Sequence, residues 1–230
     1  MVSILNIETS TTVCSVSVAV DGDIVATKEQ NTGYTHAENL TTFIDDVLCD
    51  ANLKLSKMDA IAISSGPGSY TGLRIGVSTA KGLCYALNKP LIAVDTLRYL
   101  ANMVVQQNVD KFDEMTLFCP MIDARRMEVY CGLYNLDNEE VQPISALIID
   151  DNSFANILER HNVIFFGNGA NKCRSVFDNV DNATVMDGME LSAKGMGEPS
   201  YNMYLNKNFM DVAYYEPFYL KDFVAKKARL

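Results

Sequence analysis

Ser3-Ile-Leu-Asn-Ile-Glu-Thr-Ser-Thr-Thr-Val-Cys-Ser-Val-Ser-Val-Ala-Val20 decides how the rest of the chain is read. Ile4, Leu5 and Ile7 mark a strand over residues 3–8, and Val13, Val16, Val18 and Val20 mark a second. Between them lies a polar turn, Thr9-Ser10-Thr11-Thr12. Asp21-Gly22-Asp23 favours a tight hairpin, and Ile24 to Glu29 reads as a third strand. The chain therefore opens as a β-meander.

Outward from this meander, helices and strands alternate. Thr35-His36-Ala37-Glu38 fits a capping box, with Thr at the N-cap and Glu three residues on. Ala37, Leu40, Ile44, Val47 and Ala51 recur at spacings of 3 and 4, widened by Phe43 and Leu48, and predict an amphipathic helix. Asp59 to Ser64 is a short buried-type strand entering the loop Ser65-Gly66-Pro67-Gly68-Ser69-Tyr70-Thr71-Gly72. A helix from about Thr71 to Leu87 stops before Asn88-Lys89-Pro90, because proline disfavours helix at the residue before it. Leu91 to Val94 is a strand, and Asp95-Thr96 caps a third helix through Ala101 and beyond. The second half echoes the first. Strand Leu117–Asp123, charged turn Ala124-Arg125-Arg126, strand Glu128–Tyr134, turn Asp137-Asn138 and strand Val141–Ile149 follow in order. Val163 to Phe166 then enters Gly167-Asn168-Gly169-Ala170, with a helix after it. Residues 195–210 mix Gly, Pro, Asn and Met and read as irregular. The scheme predicts an α/β fold of two similar lobes, residues 1–103 and 104–230, built like the actin/Hsp70/sugar-kinase (ASKHA, ribonuclease H-like) architecture.

The 230 residues are 48% hydrophobic, 9% aromatic and 21% charged, an ordinary globular composition. No apolar run approaches the ~20 residues of a membrane helix. The opening residues carry no basic n-region, so a secretory signal is not expected. Cys14, Cys49, Cys84, Cys119, Cys131 and Cys173 are scattered without a Cys-x-x-Cys pair and read as reduced thiols, which places the chain in the cytoplasm. A net charge of −10 argues against this chain gripping nucleic acid alone, since phosphate binding rests on Lys and Arg. It suits a basic partner and also serves solubility.

The turn Glu8-Thr9-Ser10-Thr11-Thr12 is the first candidate site. An acid followed by hydroxyls can offer N–H and O–H groups to phosphate and a carboxylate to Mg²⁺. With Asp123 it would form a vestigial nucleotide site; the alternative is a hydroxyl-rich turn satisfying its own backbone. No glycine follows Glu8, which hinders close phosphate approach. The Gly66-Pro67-Gly68 loop either binds an anion at a helix start or acts as a hinge, and it is not a P-loop, lacking Gly-Lys-Ser/Thr. Gly72, Gly76 and Ala80 lie four apart on the following helix, with Cys84 continuing the line. Small residues at that spacing admit another backbone, from this chain or from a partner. That helix is apolar nearly all round, so both its faces are expected to be covered. His36 and His161 are far apart, and Leu40 stands where a second helical ligand would be, so no metal is expected and His36 reads as a solvated residue. Asp123-Ala124-Arg125-Arg126 either binds an anion or makes a salt bridge. No Gly-x-Ser-x-Gly is present, nor a Ser or Cys in a known pattern with His.

Ile4-Leu-Asn-Ile-Glu-Thr-Ser10, Gly66-Pro-Gly-Ser-Tyr-Thr-Gly-Leu-Arg-Ile-Gly76, Asp95-Thr96 and Asp123-Ala-Arg-Arg-Met-Glu-Val-Tyr130 occur in this order. In them the chain resembles the TsaB (YeaZ) family, dimerization subunits for threonylcarbamoyladenosine synthesis in bacterial tRNA. The likeness is close over roughly residues 1–135 and general thereafter. It implies an actin-like fold, a catalytic paralogue of the same fold (TsaD), an ATPase partner (TsaE), and ATP with Mg²⁺ used by the complex. The chain itself would support transfer beside the anticodon without performing it, hold no cofactor and meet tRNA only through the complex. The paralogue carries a His-x-x-x-His pair on its first helix, where this chain has His36-Ala-Glu-Asn-Leu40. The family's heterodimer contact uses the first two helices, which implies a partner face from Leu40, Ile44, Val47, Gly72, Ile75, Gly76 and Thr79. A charged residue at Gly76 is then expected to abolish complex formation while the chain still folds. The same face allows an isologous homodimer. The competing reading is a stand-alone actin-like small-molecule kinase or ATPase working from Glu8–Thr12 and Asp123. The basic tail from Lys221 to Arg229 either finishes the fold or reaches toward a partner.

Overall fold

A computed structural model describes residues 1–33, 35–107 and 111–221. The meander is β1 (Ser3–Glu8), β2 (Cys14–Val20) and β3 (Asp23–Gln30), followed by α1 (His36–Asp50), β4 (Ala60–Ser64), α2 (Tyr70–Leu87) and β5 (Leu91–Val94). These strands form one sheet in the order β3-β2-β1-β4-β5, antiparallel within the meander and parallel from β1 to β5. The β2–β3 turn has Asp21 and Gly22 both left-handed, as a two-residue hairpin of the expected kind requires. Helix α3 (Thr96–Gln107) leads to β6 (Thr116–Asp123), β7 (Glu128–Tyr134), β8 (Glu140–Ile148), α4 (Ala155–Leu158), β9 (Asn162–Phe166), α5 (Arg174–Phe177), β10 (Ala183–Val185) and α6 (Gly197–Leu205). The second sheet has the order β10-β9-β6-β7-β8, with antiparallel β6–β7–β8 and parallel β6–β9–β10. Its connectivity is that of the first sheet repeated, so the echo in the sequence is a duplicated lobe.

Three apolar clusters hold the molecule. Leu5, Ile7, Val16 and Val18 of the first sheet pack with Leu40, Ile44 and Val47 of α1 and Val77, Ala80 and Cys84 of α2. Cys119, Cys131, Phe165 and Phe177 belong to a cluster confined to the second lobe. Between the sheets, Leu97, Tyr99, Leu100 and Val104 of α3 pack with Ile4, Ala62 and Val94 on one side and Phe118, Ile122 and Phe166 on the other. A boundary after residue 103 thus falls inside α3, and the two lobes share a core.

Several local expectations change. Thr35 is the N-cap of α1, but its side chain makes no cap hydrogen bond; its hydroxyl accepts from the Asn39 side-chain amide at 3.0 Å. After β9 the helix is only a short turn. Residues 197–205, read as irregular, form α6. Gly197, Pro199 and Asn202 mask the helical pattern, yet proline is compatible with a first turn. The glycine is needed because a Cβ at Gly197 would stand 2.5 Å from the Gly22 carbonyl oxygen. All six cysteines are free, five of them buried and Cys49 exposed. Among the described residues no helix is long and apolar enough to cross a membrane.

Beyond α6 the chain runs back over the first lobe as a strap. Met210 N–H donates to the Leu91 carbonyl at 2.8 Å, and the Lys81 ammonium donates to the carbonyls of Ala213 and Tyr215, each at 3.1 Å. Phe218 N–H donates to the Ser65 carbonyl at 2.8 Å. The Tyr219 ring lies 5.0 Å from that of Tyr70, and its hydroxyl accepts from Arg74 Nε at 3.3 Å. Lys221 then pairs with Glu128 of the second lobe. The basic tail beyond Lys221 lies outside the described residues.

Candidate functional site

The first strand of each lobe ends in an acid: Glu8 on β1 and Asp123 on β6. Their environments differ sharply. Glu8 is fully buried, and its Oε1 accepts from Ser10 N–H at 2.5 Å and from the Ser64 hydroxyl at 3.1 Å. Its Oε2 accepts from the Tyr99 hydroxyl, which α3 brings in from the inter-lobe core. Loss of water outweighs these hydrogen bonds, and burial pushes the Glu8 pKa up. Burial and the neighbouring Glu8 push the Tyr99 phenol well up as well, so it remains the donor. Sequence reasoning found Glu8 but not Ser64 or Tyr99, since no local spacing links position 8 to positions 64 and 99.

The rest of this turn is held from above by α2. Thr9 Oγ1 donates to the Gly72 carbonyl at 2.9 Å, and Ser69 N–H donates to the Ser10 carbonyl at 2.6 Å. A Cβ at Gly68 would lie 2.4 Å from the Ser10 oxygen, one at Gly72 2.0 Å from the Thr9 oxygen, and one at Gly76 2.3 Å from Thr9 Oγ1. The small residues on α2 therefore admit the chain's own 9–11 turn. The Ser69 hydroxyl caps α2 by accepting from Gly72 N–H at 3.3 Å.

The expected partner face is corrected by this packing. Leu40, Ile44 and Val47 are in the core, and Gly72 and Gly76 lie under the turn. Of the seven positions, only Ile75 and Thr79 keep partial exposure. Charge at Gly76 would first clash with Thr9, so it cannot test partner binding in a folded chain. The outward side of α2 instead presents Ser78, Gly82, Tyr85 and Ala86, with Tyr85 88% exposed. His36 is also corrected: it is 1% exposed, and its Nε2 donates to the Thr11 carbonyl at 2.8 Å.

In the second lobe the acid is open to solvent. Asp123 Oδ1 accepts from Arg125 N–H at 2.8 Å and pairs with Lys172, which also donates to the Glu128 carbonyl at 2.5 Å. The Asn168 side chain accepts from Asp123 N–H at 3.0 Å, and a Cβ at Gly169 would lie 2.8 Å from the Ile122 carbonyl carbon. Gly167-Asn168-Gly169 thus supports the β6–β7 turn, as the Gly66–Gly68 loop supports β1–β2. Arg125 and Arg126 are both left-handed, at φ 72° and 49°, a strain of roughly 1–3 kcal/mol per residue. The structure unites Glu8, Thr9, Ser10 and Thr11 in one buried turn and places Asp123 in the matching turn of the other lobe.

Two lobes of the same strand order, each with an acid-ended first strand and a glycine loop beside it, define an actin-like protein. A family model described as "TsaD: tRNA N6-adenosine threonylcarbamoyltransferase" matches residues 30–229. The chain is 33% identical over 152 residues to the tRNA threonylcarbamoyladenosine biosynthesis protein TsaB of Bacillus subtilis, covering 65% of this chain and 63% of that protein. It therefore spans less than two thirds of that relative. Against the Haemophilus influenzae protein of the same name, identity is 28% over 236 residues, covering 98% of this chain and 96% of the other. The solved structure of YeaZ from Pseudomonas aeruginosa matches with a TM-score of 0.76 at 26% identity, over 96% of this chain and 100% of that one. The chain belongs to the TsaD family and, within it, to the TsaB (YeaZ) group.

Proposed function

We propose that this chain is a non-catalytic partner subunit in the formation of N6-threonylcarbamoyladenosine in tRNA, supporting a TsaD-like catalytic paralogue in the cytoplasm. The observation that carries this reading is the first turn of α1. His36 commits Nε2 to the Thr11 carbonyl, and position 40 is a core leucine, so the helix offers no pair of nitrogen ligands where the catalytic paralogue has one. The fully buried, fully engaged Glu8 points the same way, since it presents no free carboxylate to a Mg²⁺-nucleotide. ATP and a TsaE-like ATPase belong to the assembly in this reading. The paralogue docks on the outward side of α2, around Tyr85 and Ala86.

The experiment is co-purification with the TsaD-like protein of the same organism, followed by threonylcarbamoyl transfer to tRNA with and without this chain. Transfer is expected to require both proteins, with this chain alone inert. Ala86→Glu is expected to cost at least tenfold in affinity for the paralogue while leaving the thermal midpoint unchanged, because charge is depleted from interface cores. ATP hydrolysis by the isolated chain, without any complex, would replace this reading with that of a stand-alone ATPase.

A further inference from the structure

The β6–β7 turn has a charge pattern that the partner role does not use. Its carboxylates, Asp123 and Glu128, are each paired with a lysine, Lys172 and Lys221. Arg125 and Arg126 then stand exposed at the tip, and among the described residues neither guanidinium has an ion pair or an acceptor. Four cations face two carboxylates here, in a chain whose net charge is −10. Two adjacent left-handed arginines hold both guanidiniums out on a strained turn braced by Ala124 N–H on the Glu128 carbonyl at 3.0 Å. Beside them lie an exposed Met127 and a half-buried Tyr130; burial pushes the Tyr130 phenol up, and its hydroxyl is close enough to feel Lys221, Glu128 and Arg125.

We propose that the Arg125–Arg126 turn is a contact for the phosphate backbone of RNA, with Tyr130 and Met127 as the adjoining surface for a base. Paired guanidinium forks match phosphate oxygens, and an aromatic beside them suits an unstacked base better than it suits an acidic protein segment. The inference rests on the reading that this chain works in a tRNA-modifying assembly, and it gives the chain a direct hold on the substrate. Tyr99, Glu8 and α2 are not involved.

The test is a salt titration of fluorescently labelled, unmodified tRNA transcript against the full chain, alone and with its TsaD-like partner. From about 50 to 200 mM salt, losing two phosphate contacts should lower the slope of log K against log salt by about 1.5. Arg125→Ala/Arg126→Ala is therefore expected to bind at least tenfold more weakly with a flatter slope, while Arg125→Lys/Arg126→Lys keeps the slope. Circular dichroism checks that both variants fold alike. Unchanged affinity and slope in the alanine variant would overturn the proposal. So would loss of ATP-Mg²⁺ binding with RNA binding intact, which reassigns the turn to a nucleotide phosphate. Loss of the partner protein with an unchanged RNA slope would overturn it too, as an acidic protein contact. Failure of the chain to associate with a TsaD-like protein is read separately, by co-purification, and the titration of the chain alone still decides the RNA contact.

Discussion

Glu8 shows what burial does to a single group. Its carboxyl has exchanged water for Ser10 N–H and the hydroxyls of Ser64 and Tyr99, and its pKa still lies above 4.5. The folded chain therefore keeps this proton at a pH where the unfolded chain has lost it. The stability contributed by Glu8 is full below 4.5, falls as pH rises toward the folded value, and is level above it. Glu8→Gln keeps the shape and two polar atoms but cannot ionise. Urea unfolding between about pH 4 and pH 8 should show the variant gaining on the native chain as pH rises, with the gap closing near pH 4. A gap that does not change with pH would mean that Glu8 titrates alike in both states. The sequence marks Glu8 by the hydroxyls that follow it, but its partner Tyr99 is invisible at that range. His36 illustrates the same limit, because a helix-start histidine looks solvated until the Thr11 carbonyl is placed above it.

Helix α2 carries glycines with opposite roles, and only their surroundings distinguish them. At Gly72 a Cβ would stand 2.0 Å from the Thr9 carbonyl oxygen, a backbone atom with little room to yield. At Gly82 nothing lies within 4 Å. Gly72→Ala is expected to cost about 2 kcal/mol from overpacking. Gly82→Ala should stabilise by up to about 1 kcal/mol, because alanine is the better helix former and restricts the unfolded chain. The midpoints of chemical denaturation check both, with an unchanged m-value showing that the unfolded state is the same. Equal effects at the two positions would mean that the close approach of the 9–11 turn does not select glycine. The helix itself was legible from its period and from its stop before Pro90, as was the need for small residues. Which backbone they admit was not, since spacing alone does not tell an internal neighbour from a partner. The face named from sequence was consequently turned inward, while Ser78, Tyr85 and Ala86 face out.

At the scale of the whole molecule, duplication is legible because each lobe repeats a hairpin pattern, a polar turn and a glycine loop in the same order. The return of α6 and the strap onto the first lobe is not legible, since it depends on contacts such as Gly197 under Gly22 and Phe218 on Ser65. Those contacts, together with α3, bear on how the molecule unfolds. Leu100 on α3 is fully buried in the cluster between the sheets, and its Cδ2 would lie 3.3 Å from a Cβ at Gly167 in the second lobe. Truncating it opens a cavity that both lobes line. Leu100→Ala is thus expected to cost about 2–5 kcal/mol. Because the cavity is shared, amide exchange should accelerate in β1 and β4 and in β6 and β9 together, in one cooperative transition. A variant confined to the outer core of the second lobe, Phe177→Ala, tests the same cooperativity from one side, since Phe177 packs only within that lobe's cluster. If either variant quickens exchange in β6 and β9 while β1 and β4 keep native protection, the lobes unfold separately and α3 is a linker between them. Joint loss in both variants means that a partner gripping the outward face of α2 stabilises the distant β6–β7 turn as well, through the shared core.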